Sequence, residues 1–203
     1  MNDAIPVGCE TSSSAAARVV LHPDIVMLPR LLSPEWCAEL IQRGERIGYD
    51  EAPIHGRHGA VMRKDVRDNL RAILFDQALA DALFAVILPH IVAHGDWVRG
   101  QRPVGLNEMF RFYRYTAGQR FDWHPDLPYV RPDGMARSRV TFLLYLDEKC
   151  AGGATEFVQD GIRVQPRMGA GLLFLHPLIH RGAPILAGEK HVLRSDVMFS
   201  ALA

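Results

Sequence analysis

The chain has 203 residues, of which 48% are hydrophobic, and its 23 Lys and Arg residues balance 23 Asp and Glu residues. This length and composition suffice for one domain with a hydrophobic core. A protein that binds nucleic acid through its phosphates needs an excess of basic residues, and the formal net charge here is zero. The composition therefore argues against nucleic acid as a partner.

Three cysteines, Cys9, Cys37 and Cys150, lie far apart and form no CxxC pair, so neither a zinc knuckle nor a disulfide framework is predicted. The amino-terminal residues lack the continuous apolar run of a secretory signal. The apolar stretch 78–92 contains Asp81 and is shorter than a membrane span. We therefore expect a cytoplasmic protein with no membrane partner.

The first residues contain little pattern. Residues 1–17 end in a run of Ser and Ala that predicts a flexible tail. Short apolar runs at 19–21 and 25–28 predict strands.

Two helices are predicted next. Ser33 precedes Pro34 and an acidic residue, a combination typical of a helix start, and the apolar spacing that follows predicts a helix near 33–47. A second stretch of helical spacing predicts a helix near 66–93.

The second half of the chain is rich in strand signals. Apolar and polar residues alternate at 110–115, residues 140–146 are β-branched and apolar, and Gly, Pro and Asp recur at short intervals. This pattern favours a β-sandwich or barrel. We predict a mainly β, α+β fold in a single domain, residues 18–203, with a helical flank at about 18–100 and a β core at about 101–203.

A His-x-Asp sequence marks the first candidate for chemistry. His124 and Asp126 stand two residues apart, so on an extended segment they point to the same side. A second histidine from a distant strand would complete two nitrogens and one carboxylate on one face of an octahedron. Non-haem Fe(II) oxygenases need that arrangement, because it leaves three adjacent positions open. Both His176 and His180, in an apolar run, are candidates for the third ligand.

Two basic residues follow on one further strand. Lys190 stands ten residues after His180, and Arg194 follows four residues later. Both share a strand face, so a cation could lie deep in the barrel near the metal. A buried unpaired cation is costly, which indicates that an anion completes the site.

In their order along the chain, these motifs resemble the prolyl-4-hydroxylase-like branch of the 2-oxoglutarate/iron oxygenases. The resemblance is carried by the His-x-Asp sequence and by residues 111–115, 118–121, 141–146, 152–157, 164–169 and 180–184. It implies a double-stranded β-helix, a distorted jelly roll, braced by the preceding helices.

The resemblance implies that His124, Asp126 and His180 hold Fe(II). It also implies 2-oxoglutarate and dioxygen as co-substrates, with ascorbate as a candidate reductant. His176 is the competing ligand, and Asp122 is an alternative to Asp126.

Five further residues receive roles from the resemblance. Lys190 would pair with the 5-carboxylate of 2-oxoglutarate, with Arg194 as the second candidate for that contact. Tyr145 would hydrogen-bond the same carboxylate, and Tyr115 would lie near the metal-chelating end of the co-substrate. Thr141 would line the pocket, or serve as an ordinary core residue.

The implied reaction is hydroxylation of a substrate, coupled to release of succinate and carbon dioxide. The substrate could be a peptidyl proline, a free amino acid or another small molecule, and the oligomeric state is open. The alternative is a non-catalytic, cupin-like protein that binds a metal or ligand. Lys190 and Tyr145 favour the oxygenase, because a metal binder needs no carboxylate anchor.

Two segments are predicted to form the mouth of the site, residues 44–64 and 127–138, which contain Gly, Pro and polar residues. Arg67, Asn69 and Asn107 could contact the substrate. For all three, structural hydrogen bonding is the favoured interpretation.

Overall fold

A computed structural model describes residues 18–56 and 59–201, so the predicted tail at 1–17 lies outside the described residues. Within them lie two α-helices, α1 (Pro34–Ile47) and α2 (Gln77–His94), and one 3-10 turn, Gln159–Gly161.

The same residues form seventeen strands. The first eight are β1 (Val19–His22), β2 (Ile25–Leu28), β3 (Asp50–Glu51), β4 (Ile54–Gly56), β5 (Gly59–Val61), β6 (Leu70–Phe75), β7 (Pro103–Leu106) and β8 (Met109–Tyr115). The others are β9 (Phe121–His124), β10 (Ala136–Tyr145), β11 (Ala151–Gly152), β12 (Thr155–Phe157), β13 (Arg163–Val164), β14 (Gly171–Leu175), β15 (His180–Gly182), β16 (Ile185–Ala187) and β17 (Lys190–Ser200).

Two sheets dominate this part of the chain. The major sheet is antiparallel and runs β1-β2-β14-β10-β17-β8-β6-β3, with β7 also beside β17. The minor sheet runs β13-β12-β15-β9. The arrangement confirms the predicted mainly β, α+β class. Strands β1, β2, β3 and β6 come from the segment predicted as a helical flank, so that segment also builds the major sheet.

Helix α1 confirms its prediction. The Ser33 hydroxyl accepts a hydrogen bond from the backbone N–H of Trp36 at 3.4 Å, and the helix ends at Gly48, whose φ of 87° suits a residue without a side chain. The buried residues Cys37 and Leu40 pack into the core beneath the major sheet.

The second predicted helix begins eleven residues later than expected, at Gln77 rather than near residue 66. Asp76 caps it by accepting the backbone N–H of Leu79 at 2.9 Å. The residues before it form β6, which pairs with β8 along its whole length. The predicted start was wrong because pairing between distant strands overrides a local helical spacing.

Helix α2 has 18 residues and is apolar and long enough, by length and composition alone, to cross a membrane. Core helices of soluble proteins pass the same test. Here Leu79, Leu83 and Ile87 are buried in the core cluster that includes the major sheet. Its apolar composition therefore has an explanation in packing.

The alternation of side chains along the major sheet separates two cores. Phe112 and Leu193 pack with the helices, whereas their neighbours Tyr113 and Val192 face the space between the two sheets. Lys190 shares the strand face of Val192 and therefore also points between the sheets. The candidate site lies in this space.

Candidate active site

Two histidines lie opposite each other on neighbouring strands of the minor sheet. His124 ends β9, His180 begins β15, and the two are register partners whose ring centroids are 4.3 Å apart. Asp126 follows β9, and its Oδ2 lies 3.8 Å from His180 Nε2. One ligand atom from each residue lies within 4.8 Å of the others. The structure thus brings the three predicted ligands together.

Backbone carbonyls set the orientation of both imidazole rings. His124 Nδ1 lies 2.7 Å from the carbonyl oxygen of Asp122, and His180 Nδ1 lies 2.9 Å from that of Leu178. Since a carbonyl only accepts, each Nδ1 carries the proton and each Nε2 keeps a free lone pair. Hydrogen bonds of this kind orient histidine ligands in metal sites.

The protonation states also suit a metal. Burial, aided by the neighbouring His180, lowers the pKa of His124 to about 3, and burial lowers the pKa of His180. Burial raises the pKa of Asp126, but Arg194 and the two histidines outweigh it, so the pKa lies below its ordinary value. At neutral pH the site offers two neutral imidazoles and one carboxylate. This donor set fits Fe(II) and leaves coordination positions for ligands.

The carboxylate of Asp126 is held from both sides. Its Oδ1 lies 2.9 Å from Arg194 Nη2, and its Oδ2 accepts a 2.5 Å hydrogen bond from the Thr141 hydroxyl. Arg194 also pairs with Asp196 at 3.0 Å. The second candidate cation is therefore engaged by two carboxylates. Thr141 is fully buried and orients Asp126. The resemblance had suggested that Thr141 lines the pocket, but it does not belong to the lining of the cavity beside the site.

The competing ligand His176 lies outside this group of three. Its Nδ1 is 2.9 Å from the Thr141 oxygen, and its Nε2 is 2.9 Å from the Ser138 hydroxyl oxygen. Because Thr141 donates its proton to Asp126, His176 must donate to Thr141 and accept from Ser138. The His176 ring thus orients Thr141, which in turn orients the candidate ligand Asp126. Asp122, the alternative carboxylate, also lies outside the group.

A cavity of about 630 Å³ opens beside the three candidate ligands. Both segments predicted to form the mouth contribute to its lining, with Pro53 from the first and Leu127, Pro128 and Tyr129 from the second.

Lys190 lies deep in this cavity and is only 3% exposed. Its Nζ donates to the carbonyl of Gly153 at 2.8 Å and lies 4.6 Å from the centroid of the Tyr115 ring. Burial lowers the pKa of Lys190 to about 8, although Cys150 and Asp147 act in the opposite direction. Within the described residues no carboxylate comes within 4.0 Å of this ammonium group. Burial of the Lys190 ammonium charge is therefore unfavourable, and a bound anion would stabilise it.

The two candidate tyrosines differ in position. Tyr115 lines the cavity, whereas Tyr145 is fully buried behind it, and its hydroxyl donates to the Thr155 hydroxyl oxygen at 2.7 Å. Burial raises the pKa of both tyrosines above the ordinary range, so both stay protonated. The Thr155 oxygen accepts from Tyr145, which leaves the Thr155 proton available to the cavity.

Thr155 is a site residue that the sequence reasoning missed. It belongs to the segment 152–157 that carried part of the resemblance, and it lies opposite Gly182 on β15. A β carbon added at Gly182 would lie 3.9 Å from Lys190 Nζ, so Thr155 and the ammonium group flank the same corner. Its place in that segment was the available signal.

More arginines line the cavity than the sequence analysis predicted. Arg67 is buried there and its Nε donates to Asn69 Oδ1 at 2.7 Å, so Asn69 has the structural role that was favoured. Arg71 and Arg111 also line the cavity but were not singled out in the sequence. The Asn107 Oδ1 accepts the backbone N–H of Met109 at 3.0 Å, and Asn107 itself does not line the cavity. The alternation along β8 could have indicated Arg111, because it shares the face of Tyr113 and Tyr115.

Comparisons with known proteins agree with this geometry. Residues 110–195 match the 2OG-Fe(II) oxygenase superfamily. Over 198 residues the chain is 24% identical to probable prolyl 4-hydroxylase 9 of Arabidopsis thaliana, and over 116 residues it is 29% identical to prolyl 4-hydroxylase 13 of the same plant. These matches cover 84% and 44% of this chain, and 67% and 42% of the relatives' own lengths.

A solved structure shows the same fold. The viral collagen prolyl hydroxylase of Paramecium Bursaria Chlorella virus-1, in its 2OG complex, superposes with a TM-score of 0.63 at 16% identity. The match covers 87% of this chain and 96% of the viral protein. The fold is accordingly the double-stranded β-helix that the resemblance implied. These findings confirm the resemblance of the chain to the prolyl 4-hydroxylase-like branch of the 2OG-Fe(II) oxygenases, whose superfamily model matches residues 110–195.

Proposed function

We propose that this chain is a hydroxylase that binds Fe(II) through His124, Asp126 and His180 and holds 2-oxoglutarate through Lys190. When bound, Fe(II) supplies the centre at which dioxygen oxidises 2-oxoglutarate to succinate and carbon dioxide and the substrate is hydroxylated. One observation carries the proposal: a buried ammonium group, which has no carboxylate partner among the described residues, lines the same cavity as the three metal-ligand candidates.

The contacts of the two cations on β17 favour Lys190 as the anchor. Arg194 already pairs with Asp126 and Asp196, so a new carboxylate would have to compete with both. Within the part of the chain that the structure describes, Lys190 has only a neutral carbonyl as its hydrogen-bond acceptor. An incoming carboxylate would offset the cost of burying the ammonium charge. Arg194 instead keeps the Asp126 carboxylate charged and oriented.

Thr155 assists this anchor in our proposal. Its hydroxyl proton is available to the cavity, because its oxygen already accepts the hydrogen bond from Tyr145. Tyr145 would then act on the carboxylate through Thr155, and direct contact between Tyr145 and the co-substrate stays a prediction. The chain's own contribution is a fixed ligand geometry and two donors aimed at one carboxylate.

The experiment is 2-oxoglutarate turnover without added substrate. Purified protein, reconstituted anaerobically with Fe(II), is given 2-oxoglutarate and air, and succinate is measured. The wild type should form succinate, and the His124→Ala and Lys190→Met proteins should form at most a tenth as much. Equal succinate from wild type and His124→Ala would sink the proposal, whereas metal binding without any succinate would favour the cupin-like alternative.

The substrate is then sought among peptides containing proline, free amino acids and other small metabolites. Ascorbate, added or omitted in the same assay, tests its predicted role as reductant. A cytoplasmic location also stays a proposal, to be tested by fractionation of cells that express the protein.

A further inference from the structure

The cavity carries more positive charge than iron and co-substrate account for. Five cationic side chains and two carboxylates line it, namely Arg67, Arg71, Arg111, Lys190 and Arg194 against Asp126 and Asp196. With neutral histidines the lining has a formal charge of +3. A bound divalent iron and the 2-oxoglutarate dianion cancel each other. The loaded site would therefore keep the same excess, which is costly in a partly buried space unless an anion compensates it.

The surroundings of Arg67 indicate where that anion would bind. The side chain is only 6% exposed, and its Nη2 is buried without a hydrogen-bond partner within the described residues. The guanidinium group lies between two rings, 4.6 Å from the centroid of Tyr113 and 4.4 Å from that of Phe121. A buried N–H group that lacks an acceptor is unfavourable and indicates a place for a ligand.

The same stack places Arg67 beside the metal site. The Phe121 ring, which touches the Arg67 guanidinium, also stacks on the His124 ring, with the ring centroids 3.6 Å apart. One aromatic ring thus separates Arg67 from a metal-ligand candidate. An anion bound to Arg67 would belong to a molecule that reaches the metal.

Two more guanidinium groups in the cavity are weakly compensated. Arg71 has no carboxylate within 4.0 Å among the described residues, although Asp50 stands opposite it on β3. Arg111 reaches Asp196 only at 3.5 Å, and Asp196 is shared with Arg194 at 3.0 Å. Burial lowers the pKa of Arg71, and the charges of Arg67 and Arg111 act in the same direction. The three arginines therefore repel one another.

The pKa of Tyr113 reflects the same positive potential. Burial raises the pKa of its hydroxyl, but the charges of Arg67, Arg194 and Arg111 outweigh burial, so the pKa lies below the ordinary value. The Tyr113 ring lines the cavity beside Arg67 and is the cross-strand neighbour of Arg71.

We propose that the primary substrate carries a carboxylate, which Arg67, Arg71 and Arg111 bind. The inference rests on the proposed function, since it adds a second anion site to the one at Lys190. Arg71 on β6 is two strands away from Lys190 on β17, roughly 10 Å across the sheet. Planar guanidinium groups suit a carboxylate, because they bind it through paired hydrogen bonds. A free acid is thus favoured over an internal, uncharged residue of a peptide.

The test measures binding, so it needs no turnover. Protein loaded with Fe(II) and 2-oxoglutarate under argon is titrated by calorimetry with matched pairs of N-acetyl amino acids and N-acetyl dipeptides. Each compound is used as the free acid and as the carboxyl-terminal amide. Single amino acids and dipeptides distinguish a small acid from a peptide end. Arg71→Gln is the main variant because Arg71 is only half-buried, and Arg137→Gln, an exposed arginine on β10, is the matched control.

We expect at least one acid to bind tenfold more tightly than its amide. The preference should fall below threefold in Arg71→Gln and persist in Arg137→Gln. The inference is overturned if no acid exceeds its amide tenfold, or if the preference survives in Arg71→Gln. It is also overturned if Arg71→Gln weakens 2-oxoglutarate itself, because the arginines would then serve the co-substrate. The 2-oxoglutarate titration comes first and tests the proposed function separately.

Discussion

The metal end of the active-site cavity and the rest of its lining differ in whether their charged groups have partners. At the metal end, one oxygen of Asp126 accepts a hydrogen bond from Thr141 and the other forms an ion pair with Arg194. Arg194 also pairs with Asp196, and each histidine Nδ1 donates to a carbonyl. Elsewhere in the cavity lining, two buried groups lack such partners within the described chain: Lys190 has no carboxylate within 4.0 Å, and Arg67 Nη2 has no hydrogen-bond acceptor.

The difference separates residues that hold geometry from residues that wait for a ligand. Charges that the fold already neutralises position other groups, as Arg194 positions Asp126. A buried charge without a partner is unfavourable. It therefore indicates a place where a bound ligand supplies the opposite charge. The contrast therefore assigns roles to two cations on the same face of β17.

The largest effect should come from the metal end. Replacing His124 or His180 with Ala should lower iron affinity more than about 100-fold, because loss of an outer-shell partner alone typically costs about 10- to 100-fold. The measurement is iron content after anaerobic reconstitution and desalting. His90→Ala, on α2 and outside the cavity lining, is the control and should keep its iron. If His124→Ala bound iron as the wild type does, the ligand assignment would be wrong.

The second effect concerns the co-substrate anchor. Lys190→Met removes the charge but keeps the packing, and we expect 2-oxoglutarate affinity to fall about 30- to 1000-fold, equivalent to about 2–4 kcal/mol. Arg194→Met should instead weaken iron, because Asp126 loses its ion pair. Calorimetry for both ligands separates the two outcomes. The reverse pattern, with Arg194→Met abolishing 2-oxoglutarate binding, would make Arg194 the anchor.

A matched pair of threonines sharpens the contrast further. Thr141→Val removes the donor to Asp126 and should lower iron affinity about tenfold, the lower end of the range for groups that orient a ligand. Thr155→Val should leave iron affinity unchanged and weaken 2-oxoglutarate several-fold. The two variants have the same change in shape, so equal effects on both ligands would show that the cavity is not divided as proposed.

A pH dependence of about the size of the threonine effects gives a further test. The pKa of Lys190 lies at about 8, so the ammonium group is charged below pH 8 and becomes neutral above it. Affinity for 2-oxoglutarate should therefore fall about tenfold between pH 7 and pH 9, as the charged fraction drops. Lys190→Arg stays charged over this range and should abolish the dependence. The nearby Cys150 has a raised pKa, and the same is true of Tyr115, so neither opposes this sign.

Local signals predicted much of the fold. The Ser33-Pro34 start located α1, and two apolar runs located β1 and β2. The start of α2 was wrong because residues 70–75 have helical spacing and yet pair with β8. A strand in the middle of a sheet depends on partners distant in sequence, which a local pattern does not contain.

The residues of the metal site were also readable in the sequence, because His-x-Asp needs only an extended segment to point both side chains one way. The group of arginines was not predicted: Arg67 was named only as a possible substrate contact, and Arg71 and Arg111 were not singled out. Arg67, Arg71 and Arg111 lie on three different segments, and none has a motif of its own. The role of Thr141 was left open between the pocket and the core for a related reason: its strand was predicted correctly, but its partner Asp126 lies fifteen residues away.

The amino-acid sequence by itself predicted, through the family resemblance, the reaction class and the three candidate iron ligands, and it placed two cations on one strand face. The His-x-Asp pair and the two cations depend on short spacings, which strand geometry converts directly into direction, whereas the resemblance assigned His180 as the third ligand. The tertiary structure decided which cation pairs with carboxylates and which has none within 4.0 Å among the described residues. That distinction depends on which carboxylates the folded chain brings to Arg194 and keeps away from Lys190, since the energy of a buried charge is set by its neighbours in space.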